Sequence, residues 1–363
     1  MRITMVLPFR AMTGGTKVMV EYANRLAARG HDVVLVYPWY HTAPRGLAAR
    51  LKGPAKGFVN AVARAAGTSE IRWADVAVPL RCVRRLDEAH LPDADILIAT
   101  ENQTIEPLSS VSPRKGRKVY LIQGYETWGG RTPREVEATW QESEWMLVAV
   151  SGWLRALIRE RAGHESQLVP NGIDVGLFRP LRSPRAPTPR VLAVHSPLRA
   201  KGTAVVLDAL DQLRSSGLGF QPVFFGFERR PRALFQRLPD VIYHHAPSAR
   251  QLRDLYRLAD VFISGSLSEG FGLTPLEAMA CGCAVVATSV GAIPDYGVDE
   301  KTLLLAPPGS SSALAAATER LLREPSLRRC LGQAAARHAS GFSLDSSVTR
   351  FETILRHAAS SGR

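Results

Sequence analysis

Short apolar runs alternate with amphipathic stretches along this 363-residue chain, and the alternation breaks once near the middle. Before the break the runs are Ile3–Leu7, Val33–Tyr37, Ile96–Thr100, Val119–Gln123 and Met146–Val150. Between the first two, Gly14-Gly15 opens a helical pattern with Val18, Met19, Tyr22, Ala23 and Leu26 on one face, and Gly30-His31 closes it. Such alternation demands a parallel sheet covered by helices on both faces. The break is Arg182-Ser183-Pro184-Arg185-Ala186-Pro187-Thr188-Pro189, a proline-rich stretch that reads as a semi-rigid linker. The rhythm then restarts at Val191–Val194, Val223–Gly226, Val261–Ser264, Ala284–Thr288 and Thr302–Leu305, with Ser248 and Gln251 at capping-box spacing before one of the intervening helices. The fold class expected is α/β, with two consecutive doubly wound domains at 1–181 and 182–341. A chain this long exceeds what one hydrophobic core usually supports. Residues 342–363 form a terminal helix with Phe342, Leu344, Val348, Phe351, Ile354 and Leu355 largely on one face. The stripe does not say where it docks, and a return to the first domain is one option. In doubly wound sheets ligands sit beyond the carboxyl ends of the strands, and with two domains facing each other the expected site is the cleft between them.

Hydrophobic residues at 45% and charged residues at 22% exclude disordered and fibrous classes. The first ten residues hold too short an apolar run for a secretory signal, and no stretch reaches the length of a membrane span. Cys281 and Cys283 flank a glycine inside an apolar run, which reads as core packing rather than metal ligation. A cytoplasmic location is the expectation. The net charge of +13 raises nucleic acid, anionic membrane or a phosphorylated substrate as partners. The excess is divided almost evenly between the halves with no nucleic-acid module, so nucleic acid is not expected.

The most informative stretch is Glu269-Gly270-Phe271-Gly272-Leu273-Thr274-Pro275-Leu276-Glu277. It follows a strand, turns through two glycines and enters a helix, where free N–H groups can meet the oxygens of an anion. Thr274 is placed to cap that helix, with Pro275 in its first turn and Glu277 at the reciprocal capping-box position. From spacing alone two accounts stand: a ligand pocket with a carboxylate at each end, or a capping glutamate plus a solvated loop carboxylate.

The run resembles the glutamate, seven residues, glutamate motif of family-four glycosyltransferases, which have the two-Rossmann GT-B fold. The resemblance extends through Gly14-Gly15, Ser151-Gly152-Trp153-Leu154, Val169-Pro170-Asn171-Gly172-Ile173-Asp174, Lys201-Gly202, Leu258-Ala259-Asp260-Val261-Phe262 and Gly282-Cys283-Ala284-Val285-Val286-Ala287-Thr288. It implies a retaining hexosyl- or pentosyltransferase that uses a nucleoside-diphosphate sugar as co-substrate, with no bound cofactor and no metal. Glu277 would bind the donor ribose and Glu269 would be catalytic, facing the donor sugar. The backbone of Phe271, Gly272, Leu273 and Thr274 would line the sugar and diphosphate. Lys201 matches the family's phosphate-binding lysine. Where the family has an arginine beside glycine after the strand, this chain has Ser196, and Arg199 is the candidate second cation. Gly14 and Gly15 would approach the diphosphate ahead of a helix starting at Thr16. The acceptor, held mainly by the first domain, is a glycan, a lipid-linked saccharide or a small molecule.

Two positions depart from the pattern. Many relatives carry a histidine after the strand corresponding to Val119–Gln123, and this chain reads Gln123-Gly124-Tyr125-Glu126. Gln123, Tyr125 or Glu126 takes over sugar or acceptor contact, with Glu126 the first choice as a catalytic residue. The equal alternative is that Glu126 pairs with Arg131 or Arg134 in a polar loop. Asp93-Ala94-Asp95 resembles a metal-binding Asp-x-Asp but precedes a strand, where it more naturally begins a βαβ element. Residues 45–64 carry five cations and no acid, which suits either peripheral contact with an anionic membrane or a basic helix pair packed on the sheet. A sugar-nucleotide epimerase, or a non-catalytic nucleotide-sugar or glycan-binding protein of the same fold, are the competing functions.

Overall fold

In the computed structural model the described residues are 1–9, 13–39, 75–127, 131–181 and 186–360. They divide into two compact units: Met1–Pro170 with Asp345–Arg363, and Asn171–Leu344. The basic segment 45–64 and part of the proline-rich stretch lie outside the described residues.

The first unit contains strands β1 (Arg2–Val6), β2 (Asp32–Pro38), β3 (Leu80–Val83), β4 (Ile96–Ala99), β5 (Arg117–Ile122), β6 (Met146–Ala149) and β7 (Gln167–Leu168). All pairings are parallel, in the order β3-β2-β1-β4-β5-β6-β7. The central strands are largely apolar and buried, apart from Arg117-Lys118 at the start of β5, because helices cover both faces, which removes the alternation seen in half-exposed sheets. Helix α1 (Gly14–Ala28) buries Val18, Met19, Tyr22, Ala23 and Leu26, the face read from the sequence. It is followed by α2 (Asn102–Ser109), α3 (Pro133–Trp140) and α4 (Gly152–Ala162), the last capped by Ser151, whose Oγ accepts the Leu154 N–H at 3.1 Å.

The second unit contains β8 (Arg190–His195), β9 (Gln221–Gly226), β10 (Ile242–His245), β11 (Val261–Ser264), β12 (Ala284–Thr288) and β13 (Leu304–Ala306). Again every pairing is parallel, in the order β10-β9-β8-β11-β12-β13. Its helices are α5 (Thr203–Ser215), α6 (Arg232–Arg237), α7 (Ala249–Leu258), α8 (Leu273–Ala280), α9 (Ile293–Tyr296), α10 (Ser311–Arg323) and α11 (Pro325–Ala339). Ser248 and Gln251 form the expected capping box on α7. Gly172 is required by a close approach, since a Cβ there would lie 2.4 Å from the Ser343 carbonyl oxygen.

The terminal helix α12 (Leu344–Ser360) supplies what its sequence left open: it packs in the first unit. Phe351 is fully buried with its ring 5.4 Å from that of Tyr22, and Glu352 bonds His31 and Arg29 at 3.0 Å each. Phe342 precedes the helix and instead meets Tyr296 in the second unit, with ring centroids 6.1 Å apart.

Candidate functional site

In the second unit strand order reverses between β8 and β11, the place in doubly wound sheets where ligands are generally held at the carboxyl ends of the strands. Both loops carry the residues singled out above. After β8 the chain makes a 3-10 turn at Arg199–Lys201 and passes through Gly202 at φ +60°. A Cβ on Gly202 would sit 1.7 Å from the Gly265 carbonyl oxygen, so only glycine allows the two loops to touch. The Leu267 N–H donates to the Ala200 carbonyl at 2.7 Å, locking one loop to the other. With the backbones tied, Lys201 Nζ meets both carboxylate oxygens of Glu269, at 2.8 and 2.9 Å.

Glu269 is oriented from several directions. Ser266 Oγ donates to its Oε1 at 2.8 Å, and Ser266 is itself held by the Thr288 hydroxyl on its carbonyl. A Cβ on Gly291 would come within 2.2 Å of the Glu269 carbonyl oxygen, so the loop after β12 closes behind it. The Glu269 side chain is 10% exposed and that of Lys201 40%, leaving the ammonium within reach of a ligand from solvent. Arg199 is exposed and has no carboxylate partner among the described residues.

The capping box expected at α8 is not formed. Gly272 takes the N-cap position at φ +82° with no side-chain cap, so the helix starts at Leu273 and Thr274 is already its second residue. The glycine wins because its left-handed backbone is fixed by the Tyr296 hydroxyl, which donates to the Gly272 carbonyl at 2.7 Å, while Phe271 stacks 5.4 Å from the Tyr296 ring. The first amides of α8 therefore lack the side-chain cap that Thr274 was expected to give. Glu277 lies one turn further in, buried, with Oε2 accepting the Tyr256 hydroxyl at 3.1 Å. Tyr256 escaped sequence reasoning because its partner Glu277 lies 21 residues away, although it is the one buried residue of a strongly amphipathic α7, and Ser266, only three residues before Glu269, carries no motif of its own.

In the first unit the reversal falls between β1 and β4. Gly14 and Gly15 are the first two residues of α1 rather than a loop before it, because Thr13 and Thr16 form a capping box two residues upstream of the expected start. A Cβ on Gly15 would lie 3.2 Å from Gln123 Nε2, so the end of β5 reaches this turn, and Gln123 Oε1 is buried without a hydrogen-bond partner. Tyr125 is engaged elsewhere, its hydroxyl donating to Glu137 at 2.7 Å. Glu126 is 2% exposed, and its Oε2 accepts the Asn102 N–H at 2.7 Å at the start of α2. Burial, with the nearby Glu101 carboxylate, holds the Glu126 carboxyl well above the ordinary value; Arg131 acts only as a weaker opposing charge. Asp93 and Asp95 are both engaged by cations: Asp93 by Arg114 and Lys115, Asp95 by Arg2. Among the described residues no cluster of three His, Cys, Asp or Glu is arranged to hold a metal. Nor is any helix long and apolar enough to cross a membrane. Cys281 is buried and uncombined, its thiol pushed up to about 12 by burial.

Comparison with known proteins bears on this arrangement directly. Residues 12–177 match the model of Glycosyltransferase Family 4, and residues 182–338 that of Glycosyl transferases group 1. The chain belongs to the family-four, group 1 glycosyltransferases. Within that family it is 34% identical over 193 residues to the D-inositol 3-phosphate glycosyltransferase of Arthrobacter sp. (strain FB24), covering 48% of this chain and 46% of the relative. It is 29% identical over 252 residues to the protein of that description from Segniliparus rotundus, covering 60% and 55% respectively. The chain thus spans about half the length of the curated relatives it matches. Among solved structures it resembles sucrose-phosphate synthase from Thermosynechococcus elongatus, at TM-score 0.74, 19% identity and 99% coverage of both chains. It also resembles Anabaena HepE in complex with UDP-glucose, at TM-score 0.73, 15% identity, and coverage of 98% of this chain and 99% of HepE. The fold is therefore GT-B in type, two parallel-sheet α/β domains of the glycosyltransferase kind.

Proposed function

We propose that this protein transfers a sugar, with retention of configuration, from a nucleoside-diphosphate sugar to a hydroxyl of an acceptor. The observation that carries the proposal is the Lys201–Glu269 pair, assembled at the strand reversal of the second unit from the two loops that flank it. Departure of a nucleoside diphosphate develops negative charge, which needs preorganised cations and amides. Lys201 supplies an exposed cation, and the start of α8 supplies N–H groups without a side-chain cap at Phe271–Thr274. Arg199 is free to add a second cation. In this reading the diphosphate displaces part of the Lys201–Glu269 contact, and Glu269 turns its oxygens to the sugar hydroxyls. Glu277, fixed by Tyr256, takes the ribose.

Attack and departure on one face of the sugar ask for a charge-stabilising pocket more than for a strong base. Glu126, buried and bonded to Asn102, then acts in holding the start of α2, and Gln123 beside Gly15 becomes the better candidate to touch a substrate in the first unit. The solved neighbour that holds UDP-glucose makes this the first donor to test. The inositol-phosphate glycosyltransferase relatives make a small polyol the first acceptor.

The test is nucleoside-diphosphate release from a panel of donors, with and without acceptor, in the wild type and Glu269→Gln. Acceptor-dependent release that drops by about two orders of magnitude in the variant is expected. Wild-type turnover in Glu269→Gln removes this residue from the mechanism, and donor conversion without acceptor indicates an epimerase.

A further inference from the structure

A second concentration of charge in the same unit takes no part in the site described above. Arg229, Arg230 and Arg232 follow strand β9 and, with Phe235, Tyr243 and His245, line an open pocket of about 640 Å³. That volume falls within the range of small-molecule sites. All three arginines are exposed, and among the described residues no carboxylate pairs with any of them. The contrast with their neighbours is sharp. Arg237, at the other end of α6, is held by Asp208 and Asp211, and Arg214 is held by Asp240. The carboxylate nearest in sequence, Glu228, points its Oε2 towards His195 Nδ1 at 4.0 Å.

The aromatic side of the pocket is fixed. The Tyr243 hydroxyl donates to the Glu228 carbonyl at 2.7 Å, and the Phe235 and Tyr243 rings pack edge to face at 5.9 Å. His245 lies 3.2 Å from the Phe227 carbonyl oxygen through Nε2. Three guanidinium groups lining one pocket with no carboxylate partner among the described residues give it a positive potential that an anion can answer. Their planar forks suit the oxygens of phosphate in a bidentate manner. The rings beside them offer an apolar surface for whatever the phosphate is attached to.

We propose that this pocket is a second anion site, binding the phosphate of a phosphorylated compound whose apolar or ring portion rests on Phe235 and Tyr243. It is built by the loop after β9, by α6 and by β10, whereas the Lys201–Glu269 pair comes from the loops after β8 and β11. The proposal therefore stands or falls independently of the donor reading. A phosphate of this kind has two sources, a soluble phosphoester or the headgroup of an anionic lipid, and the experiment separates them.

Phenyl phosphate is titrated calorimetrically into the wild type, into Arg229→Gln/Arg230→Gln/Arg232→Gln, and into Lys201→Ala. In parallel the same proteins are floated with phosphatidylglycerol vesicles and with neutral phosphatidylcholine vesicles. The exposed arginines are expected to be replaceable without loss of fold, checked by the unfolding midpoint. A triple lysine variant keeps the charge while losing the fork. Binding of phenyl phosphate that falls by about tenfold or more in the glutamine variant, less in the lysine variant and not at all in Lys201→Ala supports the proposal with a soluble ligand. Arginine-dependent flotation on phosphatidylglycerol, without phenyl phosphate binding, supports it with a lipid headgroup. Binding unchanged in the glutamine variant, lost only in Lys201→Ala, or absent from the wild type in both assays overturns it.

Discussion

Beside the strand reversal of the first unit a carboxylate is buried against an amide; at that of the second another carboxylate is set against a cation. Glu126 lies at 2% exposure with a second carboxylate nearby, which together raise its carboxyl well above the ordinary value against the opposing pull of the Asn102 amide. Glu269, on the loop after β11, is braced by Ser266 and balanced by Lys201, which remains 40% exposed. The same strand order over six strands thus gives one end that stores a carboxyl as structure and another that sets opposite charges against each other. Gly202 and Gly265 let two loops meet in the second unit and bring their side chains together, while in the first unit Gln123 fills the space over Gly15.

The largest effect expected from breaking this contrast is at Gly202. Alanine there would put a Cβ 1.7 Å from a carbonyl oxygen, at a backbone angle that disfavours side chains. A loss of at least about 2 kcal/mol in unfolding free energy, measured by urea denaturation, is expected, with loss of nucleotide binding. Next comes Glu126. Glu126→Leu leaves the Asn102 N–H buried and unpaired and should cost about 1–3 kcal/mol. Glu126→Gln preserves the acceptor and mimics the neutral acid, so near-wild-type stability at neutral pH is expected. If glutamine is as damaging as leucine, the carboxyl is ionised and the contrast between the two ends disappears.

The sequence read the interior of both sheets well, because doubly covered strands must be continuous apolar runs. It missed β3, β7 and β10, the edge or near-edge strands, whose mixed exposure breaks that signature. The start of α8 was misplaced because Thr-Pro with a following glutamate is a strong local cap signal. A distant hydroxyl, that of Tyr296, decides for Gly272 instead. Lys201 and Glu269 were named from pattern, but their contact depends on glycines whose spatial neighbours no linear reading supplies. The bond between Glu126 and the Asn102 N–H at the start of α2 is likewise invisible in the sequence, where Glu126 reads either as a contact for sugar or acceptor or as a partner of Arg131 or Arg134.

The smallest effect concerns how α12 is held. Burial would raise the Glu352 carboxyl, but hydrogen bonds from Arg356, His31 and Arg29 outweigh it and bring it down to about 2 from an ordinary 4.5. Because the folded value is the depressed one, the contribution of Glu352 to stability is complete above about pH 4.5 and fades as pH falls towards 2. Glu352→Gln should flatten that part of the stability–pH curve, measured by denaturant midpoints across the window. An unchanged slope would mean that the clasp contributes nothing.

The central claim is that the second unit's strand reversal holds an activated sugar by its diphosphate and ribose. Calorimetric titration of UDP and UDP-glucose, then of other nucleoside diphosphates, into the wild type, Lys201→Ala and Glu277→Gln tests it most directly. The account predicts one nucleotide bound by the wild type and weakened by about tenfold or more in each variant, with the unfolding midpoint retained. Equal affinity in all three proteins would contradict it.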